Sequence, residues 1–96
     1  MTYAFTQDVP IDAALYGQIV EGLGHEPPKG LIVHVAVERP EGGLRYIDIW
    51  DTEKDWDTFA EERLHPVVHP ILTSRFGETP PEPDRLPLPV IHVWQP

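Results

Sequence analysis

Cysteine is absent from this chain of 96 residues. The sequence therefore offers no disulfide framework, no thiolate metal site and no thiol nucleophile. Basic residues are scarce too, because seven Lys and Arg stand against sixteen Asp and Glu, for a formal net charge of -9. Nucleic acids and anionic membrane surfaces recruit clustered Lys and Arg, so we expect neither as a partner.

Several sequence signals are also missing. No apolar run approaches the ~20 residues that a membrane span needs. The N-terminal sequence MTYAFTQDVP has no basic segment followed by an apolar one, so we expect no signal peptide and a cytoplasmic protein. Neither a Gly-rich phosphate loop of the G-x-x-x-x-G-K-[ST] or G-x-G-x-x-G kind nor a G-x-S-x-G motif occurs. The sequence gives no support to nucleotide-dependent or serine-hydrolase chemistry.

The chain carries a series of short segments with periodic apolar residues. Its length suits a single domain over residues 1–96. Alternating apolar residues predict four strands, at residues 3–7, 31–38, 44–51 and 90–94. Helical spacing predicts a first helix that begins near Ile11 and ends at Gly24. Residues 78–89 hold five prolines, which predicts an extended connector before the last strand.

The second predicted helix has a clear start and an interrupted body. Thr52 followed by Asp55 resembles a capping box, and Gly77 suits the end of the helix. Pro66 and Pro70 each remove a backbone donor, so we expect the helix to bend or restart there. The resulting order, β-α-β-β-α-β, predicts an α+β ferredoxin-like domain with a four-stranded antiparallel sheet and both helices on one face.

The central hairpin sorts its side chains onto two faces. If Glu38 pairs with Leu44 across the loop RPEGG, then His34 faces Asp48. The aliphatic face then carries Leu31, Val33, Val35, Val37, Ile47 and Ile49. The polar and aromatic face carries Ile32, His34, Ala36, Tyr46, Asp48 and Trp50, with Ile32 opposite Trp50. A chain this small covers one sheet face with its own helices, so we expect the other to pack against a second copy in a homodimer.

The order of elements together with the sequence GLRYIDIWDTEKDWDTF resembles the dimeric α+β barrel superfamily, and within it the antibiotic biosynthesis monooxygenase-like proteins. The resemblance implies a barrel formed by two sheets at a dimer interface, with a pocket between the sheet and helices of each subunit. In cofactor-free members a Trp that closes the third strand, an Asn four residues earlier and an aromatic residue six residues later line the pocket. Trp50 and Trp56 match two of these positions, whereas Tyr46 stands where the Asn would be. The superfamily also holds cyclases, isomerases and haem-degrading enzymes, and the resemblance turns Tyr46, Asp48 and Trp50 toward the helices.

The sharpest candidate for chemistry is the pair His34 and Asp48. A carboxylate beside an imidazole fixes the tautomer of the ring and favours its protonated form, as a general acid or base near neutral pH requires. We therefore predict that His34 and Asp48 are catalytic, with Tyr46 orienting the substrate. The alternative is that two polar residues on one sheet face satisfy each other without catalysis.

A cluster of rings is the candidate wall for a flat apolar ligand. The predicted substrate-binding residues are Trp50, Trp56, Phe59 and His92. The same aromatic rings would also serve as the core that joins the second helix to the sheet.

His65 and His69 are four residues apart, like two ligands on one helical turn, and Glu61 would extend the row. Pro66 disturbs that spacing, and a zinc site normally needs three or four protein ligands. We therefore expect no metal and no cofactor.

Two functions remain open from the sequence. The first is a cofactor-free enzyme, monooxygenase-like or acting by proton transfer as a cyclase or isomerase, on a hydrophobic cyclic or aromatic small molecule. The second is a non-catalytic dimeric binding or accessory protein whose pocket is filled by its own side chains. A cavity of roughly 300 Å³ or more that opens onto His34 and Asp48 would favour a ligand-binding function.

Overall fold

Four strands form one antiparallel sheet in the computed structural model, which describes residues 2–96. They are β1 (Tyr3–Val9), β2 (Leu31–Glu38), β3 (Leu44–Trp50) and β4 (Leu86–Pro87), in the spatial order β2-β3-β1-β4. Each neighbouring pair runs antiparallel. The predicted α+β class, with a four-stranded antiparallel sheet and two helical segments, is confirmed.

The first helical segment is α1 (Ala13–Leu23). Its N-cap is Asp12, whose carboxylate accepts a hydrogen bond from the Leu15 amide at 2.8 Å. Such a bond satisfies one of the amides that a helix start leaves free. Gly24 ends the helix with a φ of 81°, a conformation that glycine adopts without steric cost.

The second helical segment consists of α2 (Glu53–Phe59), a π-helical turn (Ala60–Leu64) and α3 (His65–Phe76). Thr52 caps it by accepting a hydrogen bond from the Asp55 amide at 3.1 Å, and Gly77 ends it in the left-handed conformation. Both ends agree with the prediction.

Two prolines of this segment behave differently. Pro66 lies in the first turn of α3, where its missing N–H is not needed by the helix. The helix changes from π to α type at His65, just before Pro66, and the backbone stays helical through this change. α3 continues through Pro70 without ending.

The central hairpin has the predicted register over most of its length. His34 pairs with Asp48, Ala36 with Tyr46 and Glu38 with Leu44. Near its start β2 is irregular, because Leu31 pairs with Trp50 and Val33 with Ile49, which leaves Ile32 as an extra residue. The prediction that Ile32 faces Trp50 is therefore wrong. A bulge moves one residue out of the alternation, so Leu31 joins the face that carries Trp50.

The last strand is also not where the sequence predicts it. Residues 90–94 form no strand, and Ile91 and Trp94 are 96% and 88% exposed. The strand β4 is instead a short part of the proline-rich connector, with Leu86 opposite Thr6 and Pro87 opposite Phe5. Continued antiparallel pairing would set residue 90 opposite residue 2, before β1 begins, so the tail has no length of β1 left to pair with.

Both helical segments cover the same face of the sheet, and the core between them has two parts. The first contains Val9, Ile11, Leu15, Ile19 and Leu44, with α3 residues packed against it. The second contains Phe5, Trp50, Trp56 and Ala60. On the opposite face Val33, Val35 and Val37 are exposed. No helix within residues 2–96 is long and apolar enough to cross a membrane.

Candidate functional site

A cavity of about 380 Å³ lies between the sheet and the two helical segments. Alternation along β3 points Tyr46, Asp48 and Trp50 into it, and His34 enters from the neighbouring strand β2. Helix α1 contributes Tyr16 together with the apolar residues Ile19, Val20 and Leu23. We name this space the larger cavity to distinguish it from a neighbouring one of about 130 Å³, and its lining is largely apolar with one polar wall.

Asp48 is the centre of that polar wall. Only 3% of the residue is exposed, yet both carboxylate oxygens have a donor. Oδ1 lies 2.6 Å from Nδ1 of His34, and the Trp50 indole N–H donates to Oδ2 at 3.0 Å. A buried carboxylate is costly unless it is hydrogen-bonded, and here two ring N–H groups supply the bonds.

His34 links Asp48 to a hydroxyl on α1. Its Nε2 lies 2.8 Å from the Tyr16 hydroxyl, and the two rings stack with 15° between their planes. An ionised carboxylate only accepts hydrogen bonds, so Nδ1 of His34 carries the hydrogen that points to Asp48. In the neutral ring Nε2 is then the acceptor, and the Tyr16 O–H donates to it. The relay of Tyr16, His34 and Asp48 is fully hydrogen-bonded in this arrangement.

Tyr16 and the neighbouring Tyr46 keep their protons more firmly than a tyrosine in water. Burial, with a further contribution from the Asp48 charge, raises the pKa of Tyr16 above its ordinary value of 10. Burial raises the pKa of Tyr46 well above 10, and the neighbouring Tyr16 and Asp48 act in the same direction. Both phenols are therefore hydrogen-bond donors throughout the neutral range. The Tyr46 ring meets the His34 ring edge-on, with centroids 5.1 Å apart.

The aromatic rings singled out in the sequence form part of the lining of the larger cavity. Trp50 contacts Trp56 with ring centroids 5.6 Å apart, and Phe59 with centroids 5.4 Å apart. All three line the cavity, and Trp50 and Trp56 also belong to the buried core. Trp50 and Trp56 are therefore part of the core, and their contact with a ligand stays a prediction.

The loop that follows α1 also borders the larger cavity. Residues 24–28 line it together with Arg63 of the π-helical turn. The Arg63 guanidinium donates to the carbonyl oxygens of Leu23 and Glu26 at 3.2 and 2.9 Å. It also lies 5.6 Å from the Phe59 ring centroid. Arg63 thus connects the loop after α1 to the second helical segment by two hydrogen bonds beside the cavity.

Two other predicted groups lie elsewhere. His92 is exposed on the C-terminal tail beside Trp94, outside the residues that line the larger cavity. The prediction that it binds substrate there does not fit this position, because the tail does not form the expected strand. His65 and His69 stack 4.7 Å apart, and residues 2–96 contain no group of three potential ligands positioned to hold a metal ion.

Sequence reasoning missed Tyr16 and Gln7. Tyr16 follows the buried Leu15 and lies within the helical spacing that also brings Ile19 and Leu23 to the sheet, so its position on α1 was a usable signal. Gln7 alternates with Phe5 and Val9 along β1, which places it on the helix-covered face. A glutamine within an otherwise apolar strand face is the kind of buried polar residue that requires an explanation.

No protein-family model matches this chain, and no curated protein shows a significant match to it. The geometry of the larger cavity is therefore the basis on which its function can be inferred.

Proposed function

We propose that this protein binds a hydrophobic cyclic or aromatic small molecule in the larger cavity and catalyses proton transfer on it, as an isomerase or cyclase does. The observation that carries the proposal is the relay of Tyr16, His34 and Asp48 in the wall of a largely apolar cavity. The cavity volume of about 380 Å³ falls within the range of small-molecule sites, roughly 300 to 1,000 Å³.

The proposed step begins with an enolisable ketone or a phenol beside Tyr16. The phenolic oxygen of Tyr16 takes the acidic proton of the substrate while its own proton passes to Nε2 of His34. No free tyrosinate is needed, which suits a phenol whose pKa is raised. The carboxylate of Asp48 stabilises the imidazolium that forms, and the enolate or phenolate keeps the electron pair of the broken bond. Return of the proton to another atom completes an isomerisation.

The rings of Trp50, Trp56 and Phe59 would hold the flat part of the substrate by contact area and stacking. The burial of Asp48 also strengthens its electrostatic interaction with His34, because the effective dielectric is lower there than in water.

We further propose that the chain adopts the ferredoxin-like arrangement and assembles as a homodimer through the uncovered sheet face, as in dimeric α+β barrels. The order β2-β3-β1-β4, with both helical segments on one face, is the support for the fold. The exposed valines of β2, with Ile47 and Ile49 beside them on β3, are the support for the dimer.

Hydrogen exchange tests the proton-transfer step directly. The probe is 2-tetralone, an enolisable bicyclic ketone, dissolved in D2O with the purified protein, and proton NMR follows the loss of its signals next to the carbonyl. We expect exchange above the buffer rate. The variant His34→Ala should slow the protein-dependent rate of hydrogen exchange by about 10²- to 10⁴-fold, the usual contribution of one acid/base group. Tyr16→Phe should slow it as well, since it removes the proton that moves to His34.

His92→Ala is the matched control, because this exposed histidine lies outside the larger cavity. The ketone should exchange at the same rate with the His92→Ala variant as with the wild type. If the ketone binds to the wild-type protein but its protons exchange no faster than in buffer alone, the protein does not catalyse proton transfer on it.

One observation favours the second function, a non-catalytic binding protein. Every polar atom of the relay already has a partner within the chain, so it also satisfies the needs of a buried polar network. In that case ligand binding would survive in the Tyr16→Phe variant and exchange would be absent from the wild type. Titration of the tryptophan fluorescence with the same ketone distinguishes the two functions.

A further inference from the structure

A second, smaller cavity of about 130 Å³ lies beside the larger one. It is enclosed by β1, α3 and connector residues 79–83. Its walls are mainly apolar and include Val9, Ile11, Val68, Leu72, Phe76 and Pro80. Two stacked histidines of α3, together with Glu82, form its polar part.

The two cavities share a wall. Four residues line both of them: Gln7, Ile19, Tyr46 and Leu64. The space next to His34 and the space next to α3 thus border the same four side chains.

The shared wall carries two polar atoms without a partner. Gln7 is 94% buried, since 6% of it is exposed, and its amide nitrogen donates to the Pro83 carbonyl at 2.7 Å. That bond fixes the side chain, yet within residues 2–96 neither its carbonyl oxygen nor the Tyr46 hydroxyl makes a hydrogen bond. Both atoms retain accessible surface, because neither is among the fully enclosed unpartnered atoms. An acceptor on the buried Gln7 and a donor on the half-buried Tyr46 are thus available to a ligand at the junction.

We propose that the two cavities form one elongated binding site, which rests on the proposed function. The ligand class is a cyclic or aromatic head, held in the larger cavity beside the relay, with an apolar side chain that passes Gln7 and Tyr46 into the smaller cavity. A hydroxyl or carbonyl group at the base of the side chain would meet the Tyr46 hydroxyl and the Gln7 carbonyl oxygen. The smaller cavity sets the length of the side chain, because its volume equals about four water molecules at ~30 Å³ each.

Calorimetric titration with 4-methylphenol, 4-propylphenol and 4-pentylphenol tests this inference. If the side chain enters the smaller cavity, each added methylene should tighten binding about three- to fourfold, as burial of ~0.8 kcal/mol per methylene implies. The variant Val68→Phe fills the smaller cavity from α3. It should bind 4-methylphenol as the wild type does and lose the gain from the longer chains.

Val20→Phe is the matched control, because Val20 lines the larger cavity and not the smaller one. It should weaken all three phenols together. If no phenol binds to the wild type, the proposed function fails and the inference with it. If all three bind equally tightly, or if Val68→Phe weakens all three alike, the elongated site is overturned while binding in the larger cavity stands.

Methyl NMR of the wild-type protein gives the same answer without a variant. Addition of 4-pentylphenol should shift the methyl signals of Val68 and Leu72, and 4-methylphenol should leave them in place. Unmoved Val68 and Leu72 signals at saturation with 4-pentylphenol would overturn the inference.

Discussion

Tyr46 and Tyr16 lie close together beside Asp48, with ring centroids 5.7 Å apart. Burial raises the pKa of each phenol, and the nearby carboxylate raises it further. In an unfolded chain tyrosine ionises near pH 10. The folded chain therefore holds these two protons at a pH where the unfolded chain releases them.

This difference makes stability depend on pH in a defined direction. The stabilisation is fully present below pH 10 and is lost as the pH rises through the raised pKa values of the folded state. We expect the urea midpoint of the wild type to fall above pH 10, and that of Tyr46→Phe to fall less steeply. Unfolding curves at pH 8, 10 and 11 measure both slopes. Equal slopes for the two proteins would contradict the prediction.

Individual site residues were predictable to different degrees. The alternation of β2 and β3 and the length of their loop predict that His34 and Asp48 are paired, and they are. Tyr16 was missed because its contact with His34 depends on how α1 rotates and sits on the sheet, which is a long-range property. The second hydrogen bond to Asp48 comes from Trp50, two residues further along the same strand and on the same face. A prediction that considers only residues paired across neighbouring strands does not include this contact.

Helices α1 and α3 approach closely at Gly22. A Cβ atom added there would lie 2.6 Å from a methyl group of Val67, whereas one added at Gly17 would meet nothing within 4 Å. Both glycines are inside α1. Valine is stiff at χ1, so Val67 has little freedom to move away.

The two glycines form a matched pair for substitution by alanine. Gly17→Ala should raise the free energy of unfolding by about 0.5 to 1 kcal/mol, since alanine costs less backbone entropy in a helix. Gly22→Ala gains the same helix propensity but forces α1 and α3 apart, so its stability should lie below that of Gly17→Ala. Urea unfolding of the two variants measures the difference. Equal stabilisation of both would show that the helices do not pack closely at Gly22.

The helices and the central hairpin follow local sequence signals, and the ends of the sheet do not. Thr52 and Gly77 mark helix ends by their own chemistry, so their roles could be predicted. Residues 90–94 alternate like a strand, but a strand also needs a neighbouring strand to pair with. The antiparallel pairing with β1 reaches the first residue of β1 before residue 90. The strand β2 contains no glycine or proline that would have predicted the bulge at Ile32. Local pattern gives the type of an element, whereas pairing partners depend on the assembled sheet.

Residues 2–96 leave one face of the sheet uncovered, and the dimer proposal depends on that face. Light scattering at micromolar concentration should give twice the mass of one chain. Val35→Glu places a charge among the exposed valines and should shift the protein to the monomer, because an unpaired charge in an apolar interface is costly. Gln18→Glu adds the same charge on the exposed side of α1 and should leave the mass unchanged. A wild-type protein that stays monomeric would reject the dimer.

The three tryptophans lie in two different environments. Trp50 and Trp56 are buried and contact each other in the wall of the larger cavity, whereas Trp94 is 88% exposed on the tail. A water-soluble quencher such as acrylamide therefore reaches Trp94 first. After that emission is suppressed, or after Trp94→Phe, the remaining fluorescence comes from two indoles that line the proposed site. The chain thus carries its own optical reporter of cavity occupancy, with no need for an attached dye.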